Sequence, residues 1–351
     1  MKGEGNKLKT SALPTVPDGG RFNGVDLWKL ILSFGVIAIH TSPMFGYADS
    51  PAYPVYAVAV SLAVPFFFLA GGFFLGRKFR EPFAAAENVR VIRTALLKYI
   101  KLYLIWSAVY LPLAFLNPDW RGKSAGYKIL SYLHGLLLRG EHYNSWHLWY
   151  LLSVIFVLIA LLVLCRLRLK RSAVYGICFA VWAVGLFAMS LSRLPQTPPV
   201  LAPILPLFRY TIQDGRICTG FLYVPLGMLF SRKVPNRALS LAMFAAGFAA
   251  ACLLSPAFLR EPALALAAAG LFCTAQGMRL RKDNLYPLLR GMSKWIYFLH
   301  MYIWTALSYL VFGEETLGVE AFLLTSIVSA AAAVGIEMIV RKRKASAARK
   351  G

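Results

Sequence analysis

Ten apolar segments, most of them close to the length that crosses a lipid bilayer, constrain the fold of this chain more than any other feature. A helix needs about 20 mostly apolar residues to cross about 30 Å of hydrocarbon. The segments cover 26–40, 53–76, 91–115, 147–164, 173–191, 217–230, 238–254, 262–277, 293–312 and 319–340. Only 15% of the residues are charged, against about 25% in soluble proteins. The sequence therefore predicts an all-α, polytopic membrane bundle of about ten transmembrane helices and excludes a soluble globular protein.

The basic residues alternate between the two sides of these segments. A net charge of +23 suggests nucleic-acid binding, unless the Lys and Arg residues have a topological role. With a cytoplasmic N-terminus, 30 of the 38 basic residues fall on the inner side and eight on the outer side. Because cytoplasmic loops carry the excess of Lys and Arg, both termini are predicted to be cytoplasmic. Topology accounts for the charge, and no nucleic-acid partner is needed.

Three regions follow from this pattern. Residues 1–24 are predicted to be a flexible cytoplasmic N-terminal segment, 25–340 the transmembrane domain, and 341–351 a basic cytoplasmic tail. In the outer loop 118–146, apolar residues at helical spacing predict an amphipathic helix at the membrane interface. The five prolines of 192–216 exclude a helix there, while the apolar residues of that loop favour packing against the bundle.

His40 ends the first span and is followed by Pro43, which stops the helix. Ionisable side chains inside a membrane are costly, so each is a functional candidate, weighed against a structural hydrogen-bonding role. Asp26 lies 14 residues before His40, about 21 Å along a helix, so these two side chains cannot touch. An acid partner must come from the outer half of the bundle. The acids available there are Asp49, Glu141 and Asp214.

Three further polar residues share the outer depth of His40. His147 stands at the start of the fourth span, and Asp214 and Arg216 stand at the start of the sixth. They are candidates for one catalytic group, although capping of helices at the interface explains them equally well. His300 lies seven residues into the ninth span, about 10 Å from the inner face. It is therefore predicted to occupy a different layer as a structural hydrogen-bonding residue.

The densest basic patch of the chain lies on the inner side and includes Arg77, Arg80, Arg90 and Arg93. Topology and anionic lipid headgroups suffice to explain such a patch. Arginine also presents planar, forked donors to phosphate, so a binding mouth for a polyphosphate such as coenzyme A is an equally good interpretation. The five cysteines lie in or at spans without C-x-x-C spacing, which predicts free thiols and no metal site.

Several motifs together resemble the acyltransferase family 3 membrane proteins, in particular the membrane half of the vancomycin-resistance serine racemases. The resemblance covers about 24–340. It lies in 25–43, AVPFFFLAGG at 63–72, HLWY at 147–150, DGR at 214–216 and SKWIYFLH at 293–300. In this order and on ten spans, the set is fairly specific.

The resemblance implies transfer of an acyl group, commonly acetyl, from cytoplasmic acyl-CoA to a hydroxyl or amine outside, on a glycan, a lipid or an amino acid. It maps the family's first-span catalytic histidine onto His40 and its Arg-x-x-Arg motif onto Arg77 and Arg80. The family often has Arg where Lys29 stands, which bears on the coenzyme contacts. No racemase domain is attached, so serine racemisation by this chain is not expected.

Two mechanisms and two other functions stay open at this level. His40 can deprotonate the acceptor or be acylated first and pass the group on. Asp214 is the preferred acid to orient it, and Arg216 or His147 would stabilise the oxyanion. A transporter of an amino acid or lipid-linked solute is the main alternative, since ten spans with a polar layer also suit solute passage. A membrane sensor or scaffold is third.

Overall fold

The computed structural model describes residues 22–194, 196–278, 280–281, 285–313 and 316–348. Over these ranges the regular structure is entirely helical. The helices are α1 (Asn23–Thr41), α2 (Tyr53–Ser61), α3 (Ala63–Gly76), α4 (Ala86–Ala114), α5 (Ala125–His134), α6 (Trp149–Arg166), α7 (Arg171–Ser192), α8 (Ile204–Ile212), α9 (Gly220–Phe230), α10 (Arg237–Leu253), α11 (Ala257–Gly277), α12 (Leu285–Leu307) and α13 (Val319–Ala348). Single 3-10 turns, Trp146–Leu148 and Arg216–Thr219, precede α6 and α9.

Eight segments of the described chain are long and apolar enough to cross a membrane. Two shorter apolar helices, Arg216–Phe230 and Arg237–Leu253, occupy the positions of the sixth and seventh predicted spans. The chain is therefore a multi-pass helical membrane protein, as its hydropathy predicts. We call the end at which α1 begins the basic end, because Arg77 and Arg80 lie there. The opposite end, with His40 and His147, is the histidine end.

α3 lies inside the bundle and packs against α1, α4, α9 and α11. Its sequence is apolar on every side, as expected of a helix surrounded by other helices. Gly72 lets α3 approach α9 closely, because a Cβ at Gly72 would collide with the carbonyl oxygen of Val224. Gly227 of α9 has the same relation to the carbonyl of Leu69. Small residues at such crossings allow backbone-to-backbone packing within a membrane.

α1 and α12 lie side by side and run in the same direction. The buried carboxylate of Asp26 accepts two hydrogen bonds from Arg290, at 2.9 Å from Nε and 2.6 Å from Nη2. One turn further along, Ser293 donates to the carbonyl oxygen of Lys29 at 3.0 Å. Both contacts join residues 264 positions apart, so they hold the same register between the two helices.

The segment 192–216 contains the helix α8, so the prediction that its prolines exclude a helix is wrong. Pro203 is the N-cap residue of α8, and Pro206 is the third residue of the helix. The N–H groups of the first turn have no intrahelical acceptor, so a proline there loses no hydrogen bond. The helix packs against α7 and against the π turn Gly135–Arg139, which agrees with the predicted packing of this segment.

The amphipathic helix predicted in loop 118–146 is α5. The Ser124 side chain caps it by accepting a hydrogen bond from the N–H of Tyr127 at 3.3 Å. Tyr132 of α5 donates to the carbonyl of Ser107 in α4, and its ring stacks on His142 with 4.0 Å between ring centres. Burial, together with the nearby charge of Arg139, lowers the pKa of His142 to about 4.

We expect the substitution Gly72→Ala to lower the melting temperature of the detergent-solubilised protein. The added methyl group forces α3 away from α9, and overpacking of this kind costs about 1–3 kcal/mol. Gly176→Ala in α7 is the matched control, because a Cβ at Gly176 meets no atom within 4 Å. Scanning fluorimetry measures both variants. Equal melting temperatures for the two would contradict close packing at Gly72.

The low pKa of His142 predicts a loss of stability in acid. The folded chain holds this imidazole neutral down to about pH 4, whereas the unfolded chain protonates it near pH 6.5. Unfolding therefore takes up a proton between these values, and stability falls as the pH drops through them. The decrease in melting temperature from pH 7 to pH 4.5 should be smaller in His142→Gln than in wild type. An identical decrease would show that His142 titrates normally.

Candidate active site

His40 lies in the last turn of α1, where the backbone is held from two sides. The carbonyl oxygen of Ala38 accepts hydrogen bonds from the N–H of Ser42 and from the hydroxyl of Tyr56, both at 3.0 Å. Ser42 takes a left-handed conformation with φ 44°, which ends the helix. The end of α1 is therefore fixed, and His40 is held half-buried at the histidine end.

Three imidazoles meet at this position and form the histidine cluster, made of His40, His147 and His300. His300 is its central member, with ring centres 5.4 Å from His40 and 5.1 Å from His147. Trp146 also stacks on His40, at 6.0 Å. His147 and His300 are buried. The cluster joins α1, the turn that precedes α6, and α12.

The prediction that His300 lies in a different layer from His40 is wrong. α12 begins at Leu285 and not near Ser293, so His300 lies 15 residues, about 22 Å, from the start of its helix. The additional two turns, 285–292, contain Pro287, Arg290 and Gly291, which lower the hydropathy of this segment. Arg290 is about half exposed at the basic end and pairs there with the buried carboxylate of Asp26.

Aromatic rings enclose His147. Tyr110 and Tyr297 pack edge to face against it, at 5.0 and 5.1 Å between ring centres. The Tyr297 hydroxyl donates to the carbonyl oxygen of His147 at 2.6 Å. Among the described residues, neither ring nitrogen of His147 has a hydrogen-bond partner, and both are buried. Buried polar atoms without partners are rare in stable cores, so these nitrogens are candidate contacts for a substrate group.

Asp214, the predicted acid partner of His40, lies elsewhere at the histidine end. Its Oδ2 is 3.8 Å from Nε of Arg209. The ring neighbours of His40 are instead Trp146 and His300. Asp214 sits in a tight turn with φ 52°, and the turn is held against α7. The structure therefore does not pair Asp214 with His40.

Arg216 belongs to a network of ion pairs next to the histidine cluster. Its Nη1 donates to Glu141 at 3.3 Å, and the other oxygen of Glu141 accepts from Arg139 at 2.8 Å. The Arg216 guanidinium also lies over the Trp149 ring, 4.5 Å from its centre. Its charge is near enough to act on the His40 ring. Glu141 is thus held between two cations, while Arg216 stays at the edge of the cluster.

A small pocket of about 230 Å³ opens at the histidine end. Its wall includes Asp119, Arg139, Glu141, His142, Tyr143 and Trp146. Trp146 borders this pocket and also stacks on His40, so its side chain connects the pocket lining with the histidine cluster. The wall offers both hydrogen-bond donors and acceptors, and aromatic faces. This suits a polar group that approaches His40 from outside the bundle.

A larger cavity of about 1210 Å³ opens at the basic end. Three arginines line it together with apolar side chains: Arg77, Arg232, Arg237, Trp28, Phe73 and Cys273. Among the described residues, Arg77 and Arg237 have no ion-pair partner, whereas Arg232 pairs with Glu81. Uncompensated arginines beside an apolar wall suit a ligand with a polyphosphate and an apolar arm.

The other predicted cofactor-binding residues lie outside this lining. Arg80, Arg90 and Arg93 are exposed at the same end. The backbone of Arg80 is held by Asn88, whose Oδ1 accepts from its N–H at 2.8 Å. Sequence reasoning missed Arg232 and Arg237, because basic residues after α9 and at the start of α10 are also what topology alone predicts. The convergence of α3, α9, α10 and α11 brings them to the cavity that Arg77 lines.

In the parts of the chain that the structure describes, no three His, Cys, Asp or Glu side chains form a group that could hold a metal ion. The histidine cluster is accordingly a group of three imidazoles packed among the rings of Trp146, Tyr110 and Tyr297.

Three curated proteins have sequences similar to this one. An amino-acid racemase from Enterococcus faecalis is 31% identical over 182 residues, which is 52% of this chain and 25% of the racemase. A second amino-acid racemase of that organism is 25% identical over 48% of this chain and 22% of its own length. A serine/alanine racemase from Enterococcus gallinarum is 24% identical over 62% of this chain and 30% of its own length. The chain thus spans less than a third of each relative. No solved structure matches.

The family comparison covers nearly all of the described bundle. The model for the family Acyltransferase domain matches residues 22–341. The match runs from the residue that precedes α1 into α13, so it contains the histidine cluster, the pocket at the histidine end and the cavity at the basic end. The chain is a member of the acyltransferase 3 family of membrane proteins.

Proposed function

We propose that this protein transfers an acyl group from cytoplasmic acyl-CoA to a hydroxyl or amine of an acceptor in the cell envelope. The acyl group that we propose is acetyl. The transfer would take place in the cytoplasmic membrane of a bacterium, with both termini in the cytoplasm, because the excess of Lys and Arg lies at the basic end. The observation that carries the proposal is the histidine cluster between an arginine-lined cavity and a polar pocket at opposite ends of the bundle.

The donor enters at the basic end in this proposal. Arg77, Arg232 and Arg237 bind the phosphates of CoA, and the apolar wall at Trp28 and Phe73 accommodates the arm that carries the acyl group. Arg80, Arg90 and Arg93 add positive field that attracts the anionic donor to the cavity. Trp28 lies 12 residues before His40, about 18 Å along α1, so the acyl arm must extend through the bundle.

Two tyrosines flank Gly71 of α3. Tyr99 of α4 and Tyr150 of α6 are hydrogen-bonded through their side chains. Both hydroxyls lie within 4 Å of where a Cβ on Gly71 would be, at 3.7 and 3.9 Å. Because Gly71 has no side chain, a space of about one methyl group lies beside the two hydroxyl groups. We propose that the acyl arm passes here.

The acceptor reaches His40 through the pocket at the histidine end. One nitrogen of the His40 imidazole takes the proton of the acceptor hydroxyl or amine. The acceptor atom then forms a bond to the acyl carbon, the carbon–sulfur bond breaks, and the proton leaves with the CoA thiolate. Arg216 and His147 stabilise the negative charge on the acyl oxygen during this step. The similarity to amino-acid racemases adds free amino acids to the glycans and lipids that are candidate acceptors.

We expect His40→Ala to reduce CoA release by about 100-fold or more, the range typical of a lost general base. Proteoliposomes are supplied with radiolabelled acetyl-CoA and a panel of acceptors: peptidoglycan fragments, polysaccharide, phospholipid and L-serine. Thr41→Ala is the matched control, since Thr41 is the next residue of the helix and its hydroxyl donates to the Ile37 carbonyl of its own helix. This control should keep its rate within about threefold of wild type.

Two results of this assay would overturn the proposal. Equal CoA release by wild type and His40→Ala across the panel removes His40 from the chemistry. Saturable uptake of a labelled solute without CoA turnover indicates a transporter, the alternative that ten spans also allow.

For the donor site, we expect Arg77→Ala combined with Arg237→Ala to raise the Kd for CoA at least about tenfold, because both arginines line the cavity without an ion-pair partner among the described residues. Each hydrogen bond between an arginine and a phosphate contributes about 1.5–3 kcal/mol. Arg166→Ala combined with Arg168→Ala removes the same charge from the same end, outside the cavity lining, and should change Kd by less than about threefold. Calorimetry in detergent measures both. An equal increase in Kd in the two double variants would mean that the arginines attract CoA only through their charge and that the cavity does not bind it specifically.

A further inference from the structure

The protonation of His300 is determined by its own helix. Its Nδ1 lies 2.8 Å from the carbonyl oxygen of Tyr297 and 3.1 Å from that of Ile296. Carbonyl oxygens only accept hydrogen bonds, so Nδ1 carries the proton and Nε2 carries a lone pair. Nε2 is buried and has no hydrogen-bond partner among the described residues. His300 therefore presents one buried acceptor atom to the inside of the histidine cluster.

His40 needs an acceptor of this kind. A neutral imidazole that acts as a base with one nitrogen carries a proton on the other, and a partner for that N–H fixes the orientation of the ring. A carboxylate commonly provides this partner. Here Glu141 is engaged by Arg139 and Arg216, and Asp214 lies beside Arg209. The ring of His300 lies against His40 instead.

The distance between the rings fits such a contact. Two imidazoles joined by one N–H···N hydrogen bond have ring centres about 5 Å apart, from two ring radii of about 1.1 Å and a bond of about 3 Å. The observed separation of His40 and His300 is 5.4 Å, with the planes tilted by 36°. A small side-chain rotation closes the difference. His147, at 5.1 Å, is also near, but it is packed between Tyr110 and Tyr297, whereas His40 borders the side chain that lines the pocket.

We propose that His300 is the positioning residue for His40. Its Nε2 accepts the N–H of the His40 imidazole, which directs the other nitrogen of His40 toward the acceptor. His300 forms no bond to either substrate and keeps its own proton on Nδ1 throughout. The inference rests on the proposed acyl transfer. In that reaction, His300 takes the place of the carboxylate that commonly orients a catalytic histidine. The inference applies equally to His40 as a base and to His40 as an acyl carrier, because both need one free ring nitrogen.

Three substitutions separate this role from a structural one. Gln places an amide oxygen near the position of Nε2, Met has the length of Gln without an acceptor oxygen, and Asn places a donor near the position of Nδ1. If His300 positions His40, His300→Gln keeps kcat within about tenfold of wild type, whereas His300→Met and His300→Asn lower it about 100-fold or more. The KM for acetyl-CoA and the melting temperature should change little in all three.

The assay uses full-length protein in proteoliposomes with acetyl-CoA and the best acceptor of the panel. A higher kcat for His300→Asn than for His300→Gln would overturn the inference, as would equal kcat values for folded His300→Gln and His300→Met. Either result would leave the acyltransferase proposal intact. Unfolding of all three variants would assign His300 to the structure of the bundle and also overturn it. Absence of CoA release by wild type with every acceptor would overturn the proposed function, and this inference with it.

Discussion

The ion pair between Asp26 and Arg290 sets the position of α12 against α1, and the histidine cluster depends on it. Asp26 is almost completely buried, and breaking such a pair leaves a buried charge that costs about 3–5 kcal/mol. The bidentate geometry and the bond from Ser293 to the Lys29 carbonyl favour one register. Because the two helices run in parallel from this contact, His40 in the last turn of α1 lies beside His300 of α12.

Most of the fold was predictable from local properties of the sequence. A run of apolar residues specifies a membrane helix wherever it occurs, since every backbone polar group must be satisfied within the segment. The helical spacing of apolar residues in loop 118–146 likewise predicts α5 from the local sequence. The errors arose where one residue has two roles. Proline disrupts the interior of a helix but is compatible with its first turn, where Pro203 and Pro206 lie in α8. A charged residue such as Arg290 suggests a loop, but in the structure it belongs to α12 and pairs with Asp26.

The candidate site was predictable only in part, because its members are brought together by contacts between distant segments. Depth along a helix placed His40 and His147 at one level, and both lie in the cluster. The depth of a residue along its helix does not determine which acid faces His40. Asp214 lies in a tight turn that places its carboxylate beside Arg209. From the sequence alone, His300 falls in the wrong layer, because the first turns of α12 are held by a partner 264 residues away along the chain. Such pairings leave no trace in a single sequence.

The arrangement at the histidine end limits the number of charges inside the bundle. A carboxylate beside His40 would add a full negative charge in a region where an uncompensated ion costs several kcal/mol. Glu141, an acid that lines the pocket at this end, is held between Arg139 and Arg216. A neutral imidazole supplies the same directional acceptor at much lower cost, because it carries no charge until a proton arrives. In the proposed acyl transfer, a site built on histidines stays neutral inside the membrane between turnovers and gains charge only when a substrate proton is transferred to it.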